Sequence, residues 1–304
     1  MLTDHPWPDL DIERSILSAA GIELVAGPME TPDAATVEKL VADADPDAIL
    51  TCWAPVTAAA IEQPKNVRLV ARLGVGLDNI AVAAATARGA WVTNVPDYCV
   101  SEVSDHAVAL VLAHGRGIVD FDRAAKRGRW DPSQAQLTRI SELTVGIIGF
   151  GRIGRETGRK LSAFGCRVLA HSRSLVEAPA GVTIAPVTAI QDQADVIILH
   201  APLSPETEHL VDRAFLAACR RRPLLVNVSR GGLVDNGALL EALDSGSLRG
   251  AAIDVLEGEP RPPREILTHP RAIVTPHIAF SSSASLRDLR RRACEEVVRV
   301  LGGE

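Results

Sequence analysis

The sequence predicts an α/β protein of two parallel-sheet domains, the second built as a doubly wound sheet. Three observations carry this reading. The chain has 304 residues, room for two domains of roughly 100 to 200 residues each. Short apolar runs alternate with helix-like stretches along both halves. A run of Val145-Gly146-Ile147-Ile148 then opens directly into Gly149-Phe150-Gly151-Arg152-Ile153-Gly154. With 47% hydrophobic and 23% charged residues the composition is that of a compact globular chain. Aromatics make up only 3%, so Ala, Val, Leu and Ile must build the cores.

In the first half, helix-like stretches at 10–20, 33–44 and 80–88 alternate with strand candidates at 22–25, 48–50, 68–71 and 91–95. Residues 101 to about 128 lack proline, and the section 107–113 is apolar nearly all round. A helix tolerates that only when buried on most sides, so a long helix at a domain or subunit junction is expected. The second half begins at Leu143, with strand candidates at 144–149, 167–170, 196–199, 224–228 and 251–255. After His277 the chain turns Ser-rich and enters an amphipathic helix, 285–301, too short for a domain and expected to return to the first one.

Charge and cysteine usage exclude several classes. A formal net charge of -6 gives no long-range attraction to nucleic acid or to anionic membranes. The five cysteines are odd in number, widely spaced and never in C-x-x-C, so neither a metal site nor a disulfide framework is indicated. Residues 1–10 hold no apolar run of the signal-peptide kind, and no segment offers about 18 uninterrupted apolar residues. A cytoplasmic location is the default expectation.

The glycine run is specific because of its context, a buried strand before it and a helix to about Phe164 after it. Gly149 permits the tight turn, Gly151 lets backbone approach a pyrophosphate, Gly154 lets helix pack on strand, and the helix N-terminus offers N–H donors. Where an NAD-binding fold usually places an acidic residue about 20 positions on, this chain reads Ala170-His171-Ser172-Arg173-Ser174. No carboxylate is present there. An arginine between two serines suits a phosphate instead, so NADP(H) is the expected preference, with NAD(H) as the alternative if Arg173 merely faces solvent or stacks on adenine.

Three polar residues each follow a strand-like run and so belong at the carboxyl edge, where open α/β sheets bind ligands. They are Arg230 in Asn227-Val228-Ser229-Arg230-Gly231-Gly232, Glu259 in Asp254-Val255-Leu256-Glu257-Gly258-Glu259, and His277 in Thr275-Pro276-His277-Ile278-Ala279. Singly, each has a bland reading: a surface cation, a solvated loop acid, a packing histidine. Their order and surroundings do not. From Gly74-Val75-Gly76-Leu77-Asp78-Asn79 through the glycine run to Pro276-His277, over roughly residues 40 to 300, the chain resembles the D-2-hydroxyacid dehydrogenase family.

The resemblance implies a Rossmann dinucleotide-binding domain, 99–280, inserted into a smaller flavodoxin-like substrate domain made of 1–98 and 281–304, and it implies a homodimer. It implies hydride exchange between NAD(P)H and a small 2-oxo or 2-hydroxy acid. Arg230 then anchors the carboxylate or carbonyl through a charge-assisted fork. His277 moves the proton at the substrate oxygen, and Glu259 hydrogen-bonds His277, fixing the ring and stabilising its imidazolium form. Backbone N–H groups at Val75 and Gly76 complete the carboxylate site, and Trp53 lies on the substrate-side loop or packs as a buried indole. Cofactor contacts are implied for Gly149, Gly151, Arg152, Ile153, Gly154, Ser172, Arg173, the His200-Ala201-Pro202 turn, Thr207, Val228, Ser229, Asp254 and Ala279. Asp254 meets the nicotinamide carboxamide in this scheme.

A rival from another class is a dinucleotide-sensing corepressor scaffold of the C-terminal-binding-protein type, which shares the fold and the Arg, Glu and His set. Formate dehydrogenases are disfavoured by Glu259 and phosphite dehydrogenases by Val75, which stands where they carry lysine.

Overall fold

The computed structural model describes residues 1–173 and 178–303. It divides into two compact units, Met1–Cys99 with the segment from Ser281 onward, and Val100–Phe280. The division falls one residue beyond the boundary read from the sequence.

The first unit is a parallel sheet, β1 (Ala48–Thr51), β2 (Leu69–Arg72) and β3 (Trp91–Thr93), in the order β1-β2-β3. Helices α1 (Asp11–Ala19), α2 (Ala34–Ala44), α3 (Ala58–Glu62) and α4 (Val82–Arg88) connect and cover it. All positions of β1 and β2 are buried, as expected of strands covered on both faces. Residues 22–25 do not form the strand expected of them. Leu2 instead bridges Ala26 on one side and Leu50 on the other, both in parallel. The N-terminal residues, which look like a polar lead-in, thus extend the sheet beyond β1. The resulting spatial order, Ala26, Leu2, β1, β2, β3, is the flavodoxin-like order 2-1-3-4-5. The C-terminal helix, Ser283–Gly302, buries Leu289, Ala293, Cys294 and Val297 in the core with Leu2, Leu50 and Leu69. Its Arg290 is buried and pairs with the fully buried Glu13 of α1 at 2.7 Å.

The second unit starts with α5 (Val100–Gly115) and α6 (Ile118–Lys126). One long helix is not what forms, because Gly117 between them takes a left-handed φ of 59°. Within the apolar 107–113 stretch Ala107, Val108, Leu110 and Val111 are buried while Ala109 is exposed, and α5 packs on α7 (Arg152–Ala163) and two sheet strands of its own unit. It is α6 that buries no side chain.

The sheet of this unit has seven parallel strands. They are β4 (Thr144–Ile148), β5 (Arg167–His171), β6 (Val182–Ile184), β7 (Val196–Leu199), β8 (Leu224–Asn227), β9 (Gly250–Ile253) and β10 (Ala272–Val274). Their order is β10-β9-β8-β7-β4-β5-β6, the doubly wound order of a Rossmann domain with one strand added, its switch point between β4 and β7. Helices α8 (Val187–Gln193), α9 (Arg213–Ala217), α10 (Asn236–Ser245) and α11 (Arg264–Leu267) complete the crossovers. Among the described residues no helix is long and apolar enough to cross a membrane.

Candidate active site

The three fingerprint glycines are each required for a different reason. Gly149 has φ 98°, and a Cβ there would fall 2.4 Å from Ala201 N and His200 C, so the turn after β7 presses on it. A Cβ at Gly154 would fall 2.2 Å from Gly149 O, which fixes how closely α7 lies on β4. At Gly151 a Cβ would meet no atom of the chain within 4 Å. Packing within the chain does not explain that glycine; a Cβ there would fill the space over the helix N-terminus that a pyrophosphate needs. Arg152 and Ile153 form the first turn of α7, and no side chain caps that helix. The residues therefore fit a dinucleotide.

Around this turn, His200 Nε2 pairs with the buried Thr157 hydroxyl of α7 at 3.0 Å. The residue keeps some surface exposed, but its ring is enclosed, and burial pushes the imidazole down to about 3. Ala201 is buried. The hydroxyl of Thr207 donates to Pro202 O at 2.7 Å and accepts from Ser204 N at 2.8 Å, closing the 202–207 loop. Ser229 follows the buried Val228 and donates from Oγ to Leu199 O at 3.1 Å, tying the β8 loop to the end of β7.

Ser172 and Arg173 leave the end of β5, beside the end of β4, where Ile148 pairs with His171. Arg173 is exposed. The carboxyl of Glu206, on the loop after β7, is held below its usual range chiefly by the Ser204 hydroxyl and in smaller part by the Arg173 guanidinium. Ser174, the third residue of the expected phosphate site, lies outside the described residues.

On the other side of the switch point the polar groups are interlocked. Glu259 uses both carboxylate oxygens: Oε1 accepts from Leu256 N at 2.6 Å and Oε2 pairs with His277 Nδ1 at 2.7 Å. His277 is partly buried, its ring edge-on to Phe280. Arg230 stands on the β8 loop, with its Nη1 donating to Ser229 O at 2.8 Å and its carbonyl accepting from Asn227 Nδ2 at 2.9 Å. Its neighbour Gly231 lies against the β9 loop so closely that a Cβ would fall 2.1 Å from Leu256 C. Asp254 is buried, and its carboxylate accepts from Thr275, Ile278 and Ala279. Expected to face a nicotinamide, it is anchored into the β10 loop.

In the first unit, Trp53 is partly buried with the Arg72 guanidinium over its ring at 5.4 Å. Val75 and Gly76 follow β2, and Val75 O accepts from Asn94 Nδ2 at 2.6 Å. Sequence reading missed what shapes the Trp53 loop. The buried Asp4 carboxylate accepts from the backbone N–H groups of Cys52, Trp53 and Ala54 at 2.9, 2.7 and 3.1 Å. Its partners lie 48 to 50 residues away, so no local signal announces it.

Residues 108–279, more than half of the chain, match the family model described as D-isomer specific 2-hydroxyacid dehydrogenase, NAD binding domain. The chain belongs to the D-isomer specific 2-hydroxyacid dehydrogenase family. It is similar to a D-3-phosphoglycerate dehydrogenase of Methanocaldococcus jannaschii, 34% identical over 91% of this chain and 54% of the relative. It is also similar to a glyoxylate reductase of Korarchaeum cryptofilum, 34% identical over 82% of this chain and 78% of the relative. The chain thus spans about half the length of the phosphoglycerate dehydrogenases it matches. Among solved structures, the TT0316 protein of Thermus thermophilus superposes with a TM-score of 0.90 at 31% identity, over 100% of this chain and 97% of that one.

Proposed function

We propose that the chain is a nicotinamide-dependent oxidoreductase that interconverts small 2-oxo and 2-hydroxy acids of D configuration. The observation that carries this is the His277–Glu259 pair at the carboxyl edge of a glycine-fingerprint sheet, with Glu259 itself fixed by Leu256 N. A nicotinamide dinucleotide bound over Gly149–Gly154 supplies or accepts the hydride. With Nδ1 of His277 committed to Glu259, the proton that moves is the one on Nε2. It passes to the substrate oxygen as the carbonyl becomes a hydroxyl, and returns in the reverse direction. Arg230 takes the carboxylate or carbonyl. Substrate recognition is assigned to the first unit through Trp53, Val75 and Gly76. Steady-state turnover of 2-oxo acids from glyoxylate and hydroxypyruvate to arylpyruvates, with either reduced dinucleotide, tests the reading. Absence of turnover across that panel overturns it.

We further infer a preference for NADPH. Arg173 is exposed at the end of β5 with Ser172 beside it, and no acidic residue stands at the expected place to repel a 2′-phosphate. The test is kcat/KM with both dinucleotides and one good 2-oxo acid; NADH used as well as NADPH removes the preference.

A homodimer also belongs to this reading. Its support is α6, whose residue Ile118 is 57% exposed, and Trp130 shortly after it, 89% exposed. Sedimentation showing a monomer at micromolar concentration would count against it.

A further inference from the structure

His277 does not hold its backbone conformation unaided. Its φ is 54°, in the left-handed region that crowds any residue carrying a Cβ. Asp254 makes four of the hydrogen bonds that hold the segment around it. Oδ1 of Asp254 accepts from the Thr275 hydroxyl at 2.5 Å and from Ile278 N at 3.0 Å, Oδ2 accepts from Ala279 N at 2.9 Å, and the Asp254 carbonyl accepts from His277 N at 2.8 Å. Behind Thr275 stands His106 of α5, with Nε2 at 3.0 Å from Thr275 Oγ1 and 3.7 Å from Asp254 Oδ1.

A threonine hydroxyl carries one hydrogen, and here it points to Asp254. His106 must therefore present an N–H at Nε2 and donate to Oγ1. Were it an acceptor, the hydroxyl would have to turn away, and a carboxylate only 2% exposed would lose a partner that water cannot replace.

We propose that His106 and Thr275 are positioning residues for proton transfer. His106 sets the rotor of the Thr275 hydroxyl, that hydroxyl completes the grip of Asp254 on the β10 loop, and the grip aims the His277 imidazole while Glu259 holds its far side. This rests on the reading of His277 as the acid–base group.

The experiment compares Thr275→Val and His106→Leu with the donor-restoring Thr275→Ser and His106→Gln, all in the full chain with a 2-oxo acid and NADPH or NADH. Loss of a hydrogen bond to a buried carboxylate is expected to lower kcat about 10- to 100-fold in Thr275→Val. A smaller loss, about 3- to 10-fold, is expected in His106→Leu. The serine and glutamine variants should recover most of the rate. In the Thr275→Val background His106→Leu should add nothing, because its effect passes through the missing hydroxyl. Single variants that keep the wild-type kcat and lose only thermal stability would overturn the proposal, as would a double variant whose losses multiply. His277→Ala, measured alongside, separates the two readings. If it is inactive while the other variants turn over normally, only the positioning role falls; if it turns over normally, the acid–base reading falls too.

Discussion

The carboxyl edge of the seven-stranded sheet is built in two ways. Beside β9 and β10 the functional groups are side chains, each fixed by another group: Glu259 by Leu256 N and His277, Asp254 by Thr275, Ile278 and Ala279. Beside β4 and β5 they are glycines, the N-terminus of α7 and an exposed arginine. The difference suits the chemistry proposed for each side. A proton moves between two atoms only when both are placed closely, so its donor needs a fixed ring. A pyrophosphate is gripped by a row of N–H groups and a helix dipole, which tolerate small shifts, and the choice between two dinucleotides can rest on one solvent-facing side chain.

The comparison can be broken at five residues, taken from the largest expected effect to the smallest. His277→Ala should lower kcat about 10²–10⁴-fold while leaving the Kd for dinucleotide within a few-fold; a variant with more than a third of the wild-type kcat would remove the histidine from proton transfer. Gly154→Ala should do the reverse, because its Cβ meets Gly149 O at 2.2 Å and α7 must back away. Its dinucleotide Kd should rise at least about tenfold, with a stability loss of about 1–3 kcal/mol in urea titrations. Unchanged binding would show that the close helix–strand approach is not needed.

Arg173→Ala should reduce the NADPH over NADH preference in kcat/KM by about tenfold or more, salt lowering the effect. Glu206→Gln should raise the preference about two- to fivefold, because a carboxylate that feels Arg173 competes with a phosphate for it. Ratios unmoved by both substitutions leave Arg173 without a role in cofactor choice.

The smallest effect concerns acid stability. His200 is neutral in the fold down to about 3, whereas an unfolded histidine titrates near 6.5. Between these values the unfolded chain binds a proton that the folded chain refuses, so stability is intact above about 6.5 and falls as pH drops towards 3. His200→Gln keeps a polar group near Thr157 and removes the titration. Its urea midpoint should fall less than that of the wild type between pH 7 and pH 4.5; equal falls would assign the acid loss to other groups.

What could be read from the sequence was what local geometry dictates. Gly149, Gly151 and Gly154 announce their turn because all three fall within six residues, between an apolar run and a helix-like stretch, and the strand runs at 196–199 and 224–228 are mostly apolar because both faces are covered. Topology alone puts Arg230, Glu259 and His277 at one edge, and the pairing of Glu259 with His277 is what the family resemblance implies. Contacts made at long range left no such mark. Asp4 reaches residues 52–54, and His106 reaches Thr275 across 169 positions. Leu2 takes a central place in its sheet from beside a polar lead-in. One failure did have a local signal: Gly115-Arg116-Gly117 interrupts the proline-free run 101–128, and the left-handed Gly117 separates α5 from α6.

The approach of Gly231 to Leu256 and Glu257 has a bearing on how such proteins can be altered. Asn236 Nδ2 donates to Glu257 O, and His209 Nε2 pairs with the Glu257 carboxylate at 2.7 Å, so three successive loops meet at one residue. Arginine and glutamate therefore sit on a single block. A side chain at Gly231 would press on Leu256 and Glu257 and displace the loop that carries Glu259, so the loops bearing Arg230 and Glu259 can be redesigned only as a pair.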